Sequence, residues 1–221
     1  MNRKPLSVGL FGGTFDPPHI GHLIAAERVR DELALDEIWF IPSYRPPHKA
    51  EQGVSQAEDR LYMVELAIAA IPYFKVSTVE FEREGPSYTF DTVMALKERF
   101  PDYRFTFIVG EDALIGLKHW HRFQELYAAV DWAALLRPGY TLPQDESYLK
   151  KVRFVVMPLI DIASSRLREM VRLGSSIRFL VPEAVRRYIE ERGLYMDRTA
   201  DEESDEPHSK AVRSQEEANR S

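Results

Sequence analysis

Near its N-terminus the chain reads Gly9-Leu10-Phe11-Gly12-Gly13-Thr14-Phe15-Asp16-Pro17-Pro18-His19-Ile20-Gly21-His22, which predicts a strand, a tight turn and the start of a helix. Gly12 and Gly13 have no Cβ, so the backbone of the turn can approach a bound ligand closely. The helix that follows offers unpaired N–H groups and the positive end of its dipole, which together attract anions. Ligands of open parallel sheets bind at the carboxyl ends of strands. The sequence therefore predicts a phosphate site at this turn.

Short apolar runs and helical patterns alternate along the rest of the chain. Strands are predicted over residues 7–11, 38–42, 74–79, 104–109, 131–136 and 152–157. Apolar residues at helical spacing predict helices over 23–33, 61–71 and 92–100, and a helical C-terminal end over 164–173 and 182–192. This alternation is typical of the α/β class, here an open, mainly parallel sheet with helices on both faces.

Composition limits the classes of protein and partner. A chain of 221 residues, 44% of them hydrophobic, can bury one substantial core, so residues 1–196 are expected to form one domain. Residues 197–221 are almost devoid of apolar side chains, which predicts a disordered tail. The sequence leaves open whether copies of the chain assemble into a homo-oligomer.

Charge and cysteine content argue against several functions. The net charge is −6 and the basic residues are scattered, so neither nucleic acid nor a membrane surface is an expected partner. The absence of cysteine excludes disulfides, thiolate metal sites and cysteine nucleophiles. Because no apolar run approaches the roughly 20 residues that span a bilayer, we expect a cytoplasmic protein.

Two histidines strengthen the prediction of a phosphate site. His19 and His22 are three positions apart at a helix start and therefore share a face, where both imidazoles can donate to one phosphoryl group. The alternative is a rigid glycine–proline turn with histidines on a solvated helix end. The combination of glycines, histidines and strand–turn–helix context favours phosphate binding.

The run from Gly12 to His22 resembles the nucleotide-binding signature of the nucleotidyltransferase superfamily, and His19-Ile20-Gly21-His22 is similar to the motif shared with class I aminoacyl-tRNA synthetases. The resemblance implies a Rossmann-like fold. It also implies that His19 and His22 are catalytic, stabilising the charge that builds on the α-phosphoryl group and the leaving pyrophosphate. The ATP-binding residues implied at this turn are Gly12, Gly13, Thr14, Phe15, His19 and His22.

A second element of the superfamily is a Ser/Thr-rich turn that leads into a helix with a basic residue. The segment that resembles it here is Ile162-Ala163-Ser164-Ser165-Arg166-Leu167-Arg168. The resemblance implies that Ser164, Ser165 and Arg168 bind ATP phosphates, with Arg168 a third catalytic residue suited to bidentate contacts. Related enzymes usually carry Ser at the position of Ala163 and Thr at that of Ser165. The alternative is ordinary helix capping by serine.

Three further segments look like the bacterial nicotinate-nucleotide adenylyltransferase family, and the resemblance runs from about residue 8 to residue 195. The segments are Pro86-Ser87-Tyr88-Thr89-Phe90-Asp91-Thr92, Val109-Gly110-Glu111-Asp112 and Leu117-Lys118-His119-Trp120-His121. Family resemblance implies that Thr89 and the backbone at His121 meet the nicotinate carboxylate, while Trp120 stacks on the pyridine ring. The family often has Tyr at the position of His121. The competing interpretation is that the Trp120 side chain is buried in the core and does not contact the substrate.

Other assignments also come from the family. Gly110 and Asp112 are implied to bind the ribose of ATP, whereas a solvated acidic helix start is the alternative for Glu111 and Asp112.

His48 and Lys49 match a Pro-Pro-His-Lys segment used around the mononucleotide, and Asp16 is assigned to the same substrate. A basic surface loop is the alternative for His48 and Lys49.

The implied reaction transfers the AMP of ATP to nicotinate mononucleotide, giving deamido-NAD and pyrophosphate in NAD biosynthesis. No enzyme nucleophile is needed, and Mg²⁺ is expected on the ATP oxygens rather than in a dedicated metal site. The preference for nicotinate over nicotinamide mononucleotide rests on resemblance alone. Alternatives are transfer of an adenylyl or cytidylyl group to another phosphate acceptor, such as phosphopantetheine, or a non-catalytic nucleotide-binding regulator.

Overall fold

The computed structural model describes residues 4–46, 54–83, 85–139 and 147–196. In these residues six strands, each paired in parallel with its neighbours, form a single sheet. The strands are β1 (Ser7–Gly13), β2 (Glu37–Pro42), β3 (Phe74–Val76), β4 (Arg104–Gly110), β5 (Asp131–Leu136) and β6 (Val152–Val156). The α-helices are α1 (Ile20–Glu32), α2 (Ala57–Ile68), α3 (Thr89–Arg99), α4 (Glu111–Gly116), α5 (Phe123–Ala129), α6 (Ser164–Arg172) and α7 (Glu183–Arg192).

The order of the strands reverses at the centre of the sheet. It runs β3-β2-β1-β4-β5-β6, so the chain first builds outward from β1 in one direction and then outward from β4 in the other. β1 pairs with β2, with Gly12 opposite Ile41, and with β4, with Gly9 opposite Thr106. A crevice opens where the order reverses, at the carboxyl ends of β1 and β4.

Side chains alternate between the two faces of the sheet and fill a separate apolar core on each. On β2, for example, Ile38 and Phe40 join one core while Trp39 and Ile41 join the other. Residues of α1, α2, α6 and α7 complete the first core, and residues of α3, α4 and α5 complete the second. Both faces are therefore covered by helices, which confirms the predicted α/β class.

Element boundaries depart from the predictions in a few places. β3 ends at Val76 rather than at residue 79, and α2 covers Ala57–Ile68 rather than 61–71. α4 and α5, which lie between β4 and β5, were not predicted. The predicted tail, 197–221, lies outside the described residues. In the described part of the chain no helix is both long and apolar enough to cross a membrane.

Candidate active site

The turn after β1 carries most of the predicted ATP-binding residues. Gly12 is exposed and Gly13 is half-buried at the end of β1. Phe15 has a φ of 52° and a ring that is only 3% exposed. That ring packs edge-on against Phe11 and His22, with 5.7 and 5.1 Å between ring centroids. Because the ring lies in the core, a contact between Phe15 and ATP would have to be made by its backbone.

His19 and His22 stack on one another at the start of α1. Their ring centroids are 3.7 Å apart with 26° between the planes, and the His19 backbone N–H donates to His22 Nδ1 over 3.1 Å. A ring whose Nδ1 accepts a hydrogen bond carries its proton on Nε2 when it is neutral, so His22 Nε2 is a donor. At Gly21 a Cβ would lie 3.0 Å from His19 Nδ1, and glycine leaves room for the His19 ring there.

Burial keeps both rings uncharged at neutral pH. It lowers the pKa of His19 to about 4. It also lowers the pKa of His22 well below 6.5, and the neighbouring His19 adds to this effect. Two neutral imidazoles therefore offer N–H donors at the carboxyl edge of the sheet.

α6 contacts the same turn. The Ser164 hydroxyl donates to the Pro17 carbonyl over 2.9 Å, and Arg168 Nη1 donates to the Asp16 carbonyl over 2.8 Å. Ser165 is exposed. The structure thus brings Ser164 and Arg168 to the loop that ends at His19.

Asp16, assigned to the mononucleotide, lies at the centre of this loop and is 1% exposed. Its Oδ1 accepts from the Tyr195 hydroxyl over 2.6 Å, and its Oδ2 accepts from the Ser55 N–H over 3.1 Å. Arg168 Nη1 lies 3.9 Å from Oδ2. In this structure both oxygens of Asp16 contact the protein, and a contact with mononucleotide stays a prediction.

Arg60 was not predicted as part of the site. The residue is 2% exposed, and its guanidinium donates to the carbonyls of Thr14, Tyr44 and Ser55 over 2.9, 3.3 and 3.1 Å. Burial lowers the pKa of Arg60, and the nearby Asp16 acts in the opposite direction. One side chain of α2 therefore holds the loop after β1 and the loop after β2 together.

The predicted mononucleotide side is organised by Glu80, which is 8% exposed. The Thr92 hydroxyl donates to Glu80 Oε1 over 2.9 Å, and the Tyr44 N–H donates to Oε2 over 3.3 Å. Burial raises the pKa of Glu80, and hydrogen bonds from Ser87 and Thr92 oppose that shift. Thr89, the predicted nicotinate contact, is half-buried at the start of α3, between these two donors in sequence. His48 and Lys49 lie outside the described residues.

Trp120 and His121 face different surroundings. The Trp120 ring is half-buried and packs edge-on against Phe107 and Trp132, with centroids 6.0 and 6.4 Å apart. His121 is exposed and stacks on Tyr88 at 4.6 Å. The Tyr88–His121 pair joins two segments that were predicted to contact the same substrate.

Gly110 and Asp112 are exposed at the carboxyl end of β4, next to the crevice. Glu111 behaves differently, since it is 8% exposed and accepts from the Arg137 backbone N–H over 3.0 Å. The interpretation of Glu111 as a solvated acidic residue is therefore wrong. Over residues 4–46, 54–83, 85–139 and 147–196, no group of three or more His, Cys, Asp or Glu side chains is arranged to hold a metal ion.

Comparisons with known proteins agree with this geometry. The model of the cytidylyltransferase-like family matches residues 10–170. A probable nicotinate-nucleotide adenylyltransferase of Geobacillus kaustophilus is 50% identical over 192 residues, 87% of each chain. A protein of the same description from Exiguobacterium sibiricum is 47% identical over 192 residues, 86% of this chain and 99% of that one.

A solved structure described as Plasmodium falciparum nicotinic acid mononucleotide adenylyltransferase complexed with NaAD has the same fold. It superposes with a TM-score of 0.72 at 21% identity and covers 86% of this chain and 97% of its own. The sequence relatives and the shared fold together place the chain in the cytidylyltransferase-like family and, within it, among the nicotinate-nucleotide adenylyltransferases.

Proposed function

We propose that this chain transfers the AMP moiety of ATP to nicotinate mononucleotide, forming deamido-NAD and pyrophosphate. The observation that carries the proposal is the pair of neutral, stacked histidines, with Arg168 bound to the same loop. The names of relatives about 50% identical to this chain support the choice of acceptor.

The chemistry is a direct displacement. An oxygen of the mononucleotide 5′-phosphate attacks the α-phosphorus of ATP and forms a new P–O bond. The bond from that phosphorus to the bridging oxygen of the β-phosphate breaks, and pyrophosphate leaves with the electron pair. The attacking phosphate is already ionised at neutral pH, so no general base is required.

His19, His22 and Arg168 would supply positioning and charge stabilisation. Imidazole N–H groups that stay neutral donate hydrogen bonds to phosphoryl oxygens without a proton being gained or lost at pH 7. The guanidinium of Arg168 complements the negative charge that builds on the leaving group. Gly12, Gly13 and Thr14 would provide backbone contacts to the phosphates, and Gly110 and Asp112 would bind the ribose of ATP.

Mg²⁺ would arrive with ATP. This hard ion keeps several waters and binds largely through phosphate oxygens, which fits a site built from histidine and arginine donors rather than a carboxylate cage. Turnover should stop on chelation with EDTA and return when Mg²⁺ is added in excess.

The acceptor side would use Thr89, Trp120 and His121, with His48 and Lys49 near the mononucleotide phosphate or ribose. The Tyr88–His121 stack already links the loop that precedes Thr89 to the segment that carries Trp120. A flat, electron-poor pyridine ring suits such an aromatic surface.

The test is pyrophosphate release by the purified protein with Mg·ATP, comparing nicotinate mononucleotide, nicotinamide mononucleotide and phosphopantetheine as acceptors. A reaction without acceptor measures background hydrolysis of ATP. Preference for nicotinate mononucleotide is expected. Preference for phosphopantetheine would keep nucleotidyl transfer and overturn the substrate, whereas no release with any acceptor would favour a nucleotide-binding regulator.

A further inference from the structure

The segment that follows α7 returns to the turn after β1. Gly193, which ends α7, has a φ of 60°, and Tyr195 has a φ of 67°. A positive φ is uncommon for a residue with a large side chain, so contacts elsewhere must hold this conformation. The strongest such contact is the hydrogen bond from the Tyr195 hydroxyl to Asp16 Oδ1, which is 2.6 Å long and spans 179 positions of the sequence.

Asp16 connects Tyr195 to the rest of the loop and to two neighbouring segments. Its second carboxylate oxygen accepts from the Ser55 N–H, and its backbone carbonyl accepts from Arg168. His19 follows three residues later and begins α1. Tyr195 is thus attached to a residue whose side chain and backbone together join the loop to α6 and to the segment before α2.

Removal of the hydroxyl would leave a buried oxygen unpaired. A carboxylate that is 1% exposed depends on protein donors, because water does not reach it. Without the Tyr195 hydroxyl, Asp16 Oδ1 would gain a partner by turning toward solvent or toward a neighbouring donor such as Arg168. Either movement would shift the loop that positions His19 and His22.

We propose that Tyr195 is a positioning residue for nucleotidyl transfer. Through Asp16 it holds the loop of residues 14–19 so that His19, His22 and Arg168 converge on the phosphates of ATP. This inference rests on the function proposed above. It assigns a role in the reaction to a side chain near the C-terminal end of the fold, far in sequence from the nucleotide-binding motif.

The chain contains a closely matched control. The Tyr188 hydroxyl donates to Asp59 Oδ1 over the same 2.6 Å, and this bond also joins the C-terminal helical region to α2. Asp59 accepts a further bond from Arg192, so both of these bonds of Asp59 go to α7 rather than to the turn after β1. Tyr188→Phe removes an equivalent tyrosine–aspartate bond away from the site.

The experiment compares turnover number, KM for ATP and melting temperature for the wild type, Tyr195→Phe and Tyr188→Phe. Tyr188→Phe should lower Tm by about 2–4 °C, and Tyr195→Phe by at least as much, because Asp59 Oδ1 keeps its bond to Arg192 whereas Asp16 Oδ1 loses its donor. Tyr195→Phe alone should lower kcat, by about tenfold, with KM for ATP changed less than about threefold, because misplaced donors act on the transition state. Equal kcat for the two variants would overturn the inference, whereas an inactive wild type would instead overturn the proposed function.

A double-mutant cycle tests the route through Asp16. In an Asp16→Ala background the change Tyr195→Phe should lower kcat by less than about twofold, since the side chain on which it acts is gone. A full, independent loss of activity in that background would contradict the proposed route.

Hydrogen exchange of the wild-type protein gives a test that needs no variant and so stands even where Tyr195→Phe fails to fold. Saturating ATP should slow amide exchange at Ser55 and in residues 193–196 together with residues 14–19. Slower exchange confined to residues 14–19 would overturn the inference that Tyr195 holds this loop through Asp16.

Discussion

His19 and His22 lie close enough to stack, and this arrangement is stable only while neither ring is charged. Burial favours the neutral form in both, and a proton on His19 would repel one on His22. The same burial makes their N–H groups strong donors, because hydrogen bonds gain strength where water is excluded. Stability and the proposed catalytic role therefore both require that this pair stay neutral.

Replacement of His22 by Ala should affect activity far more than stability. Loss of one preorganised donor to a developing charge lowers kcat about 10²- to 10³-fold in comparable sites. The free energy of unfolding should fall by less than about 2 kcal/mol, since a half-buried ring with one hydrogen bond is lost. Steady-state kinetics and urea unfolding measure the two effects, and near-normal turnover would remove His22 from the mechanism.

The pKa of His19 predicts a loss of stability in acid. A pKa of about 4 in the folded state, against 6.5 in the unfolded chain, means that the unfolded chain binds more protons between these values. Stability should therefore fall as the pH drops from about 6.5 to 4, by up to about 3 kcal/mol from this group. In urea titrations from pH 4 to 7.5, His19→Gln should flatten the profile. Parallel stability profiles for the wild type and His19→Gln would contradict the lowered pKa of His19.

Sequence reasoning pointed to residues that belong to a local motif and missed residues whose hydrogen bonds reach across the chain. A short stretch with a strand–turn–helix pattern contains Gly12, Gly13, His19 and His22. The bonds of Arg60, by contrast, reach 46 positions to Thr14, and that of Tyr195 reaches 179 positions to Asp16. An arginine on a helix has no local pattern that reveals the three carbonyls it will hold.

The first turn of α3 carries Thr89, the residue predicted to contact the nicotinate carboxylate. Glu80 precedes the helix and accepts hydrogen bonds from Thr92 within it and from the Tyr44 N–H in the loop after β2. The Ser87 N–H also donates to the Arg45 carbonyl over 3.1 Å. The loop after β2 and the start of α3 should therefore move as one unit.

Glu80→Gln tests this unit. Gln has a single acceptor oxygen, so the Tyr44 N–H and the Thr92 hydroxyl can no longer each donate to a carboxylate oxygen. The hydroxyl would have to turn toward the Tyr88 carbonyl and accept from the amide, and the loss of the charged acceptor should cost about 1–2 kcal/mol. KM for nicotinate mononucleotide should rise about three- to tenfold because Thr89 is displaced, while KM for ATP changes less. Calorimetry measures the loss of stability, and initial-rate kinetics measure the two KM values.

Glu82→Gln is the matched control for Glu80→Gln. Glu82 is exposed and pairs with Arg99 on the surface, so its loss should cost less than about 1 kcal/mol and leave both KM values unchanged. Equal effects of the two substitutions would argue against a role for Glu80 in holding α3.

Helices were harder to predict than strands for a physical reason. The strands are buried on both faces and read as apolar runs, as in Phe105, Phe107, Ile108 and Val109 of β4. α4 and α5 have only six and seven residues, too few to show a helical period. Their stability comes from tertiary packing of buried side chains such as Leu114 and Leu126 rather than from local preference.

At the scale of the whole molecule, alternation of strands and helices predicted a parallel sheet, because right-handed crossovers leave few other arrangements. It did not give the strand order, since the pairing of β1 with β4 joins segments about a hundred residues apart and no local pattern encodes it. That pairing creates the crevice beside Gly12 and Gly110. The position of the crevice is thus a property of the topology, whereas the residues predicted to line it were found through a local motif.

The C-terminal boundary of the working enzyme can be predicted from the same contacts. Among the residues that the structure describes, Tyr195 is the last with a hydrogen bond to Asp16, and the segment after Met196 has a composition that cannot bury an apolar core. A chain that ends at Met196 should therefore match the full chain in kcat, KM and melting temperature. A chain that ends at Leu194, two residues shorter, should lose at least tenfold in kcat because Asp16 loses its donor. Reduced turnover in the longer of the two would assign a function to residues 197–221, and equal turnover in both would remove Tyr195 from the mechanism.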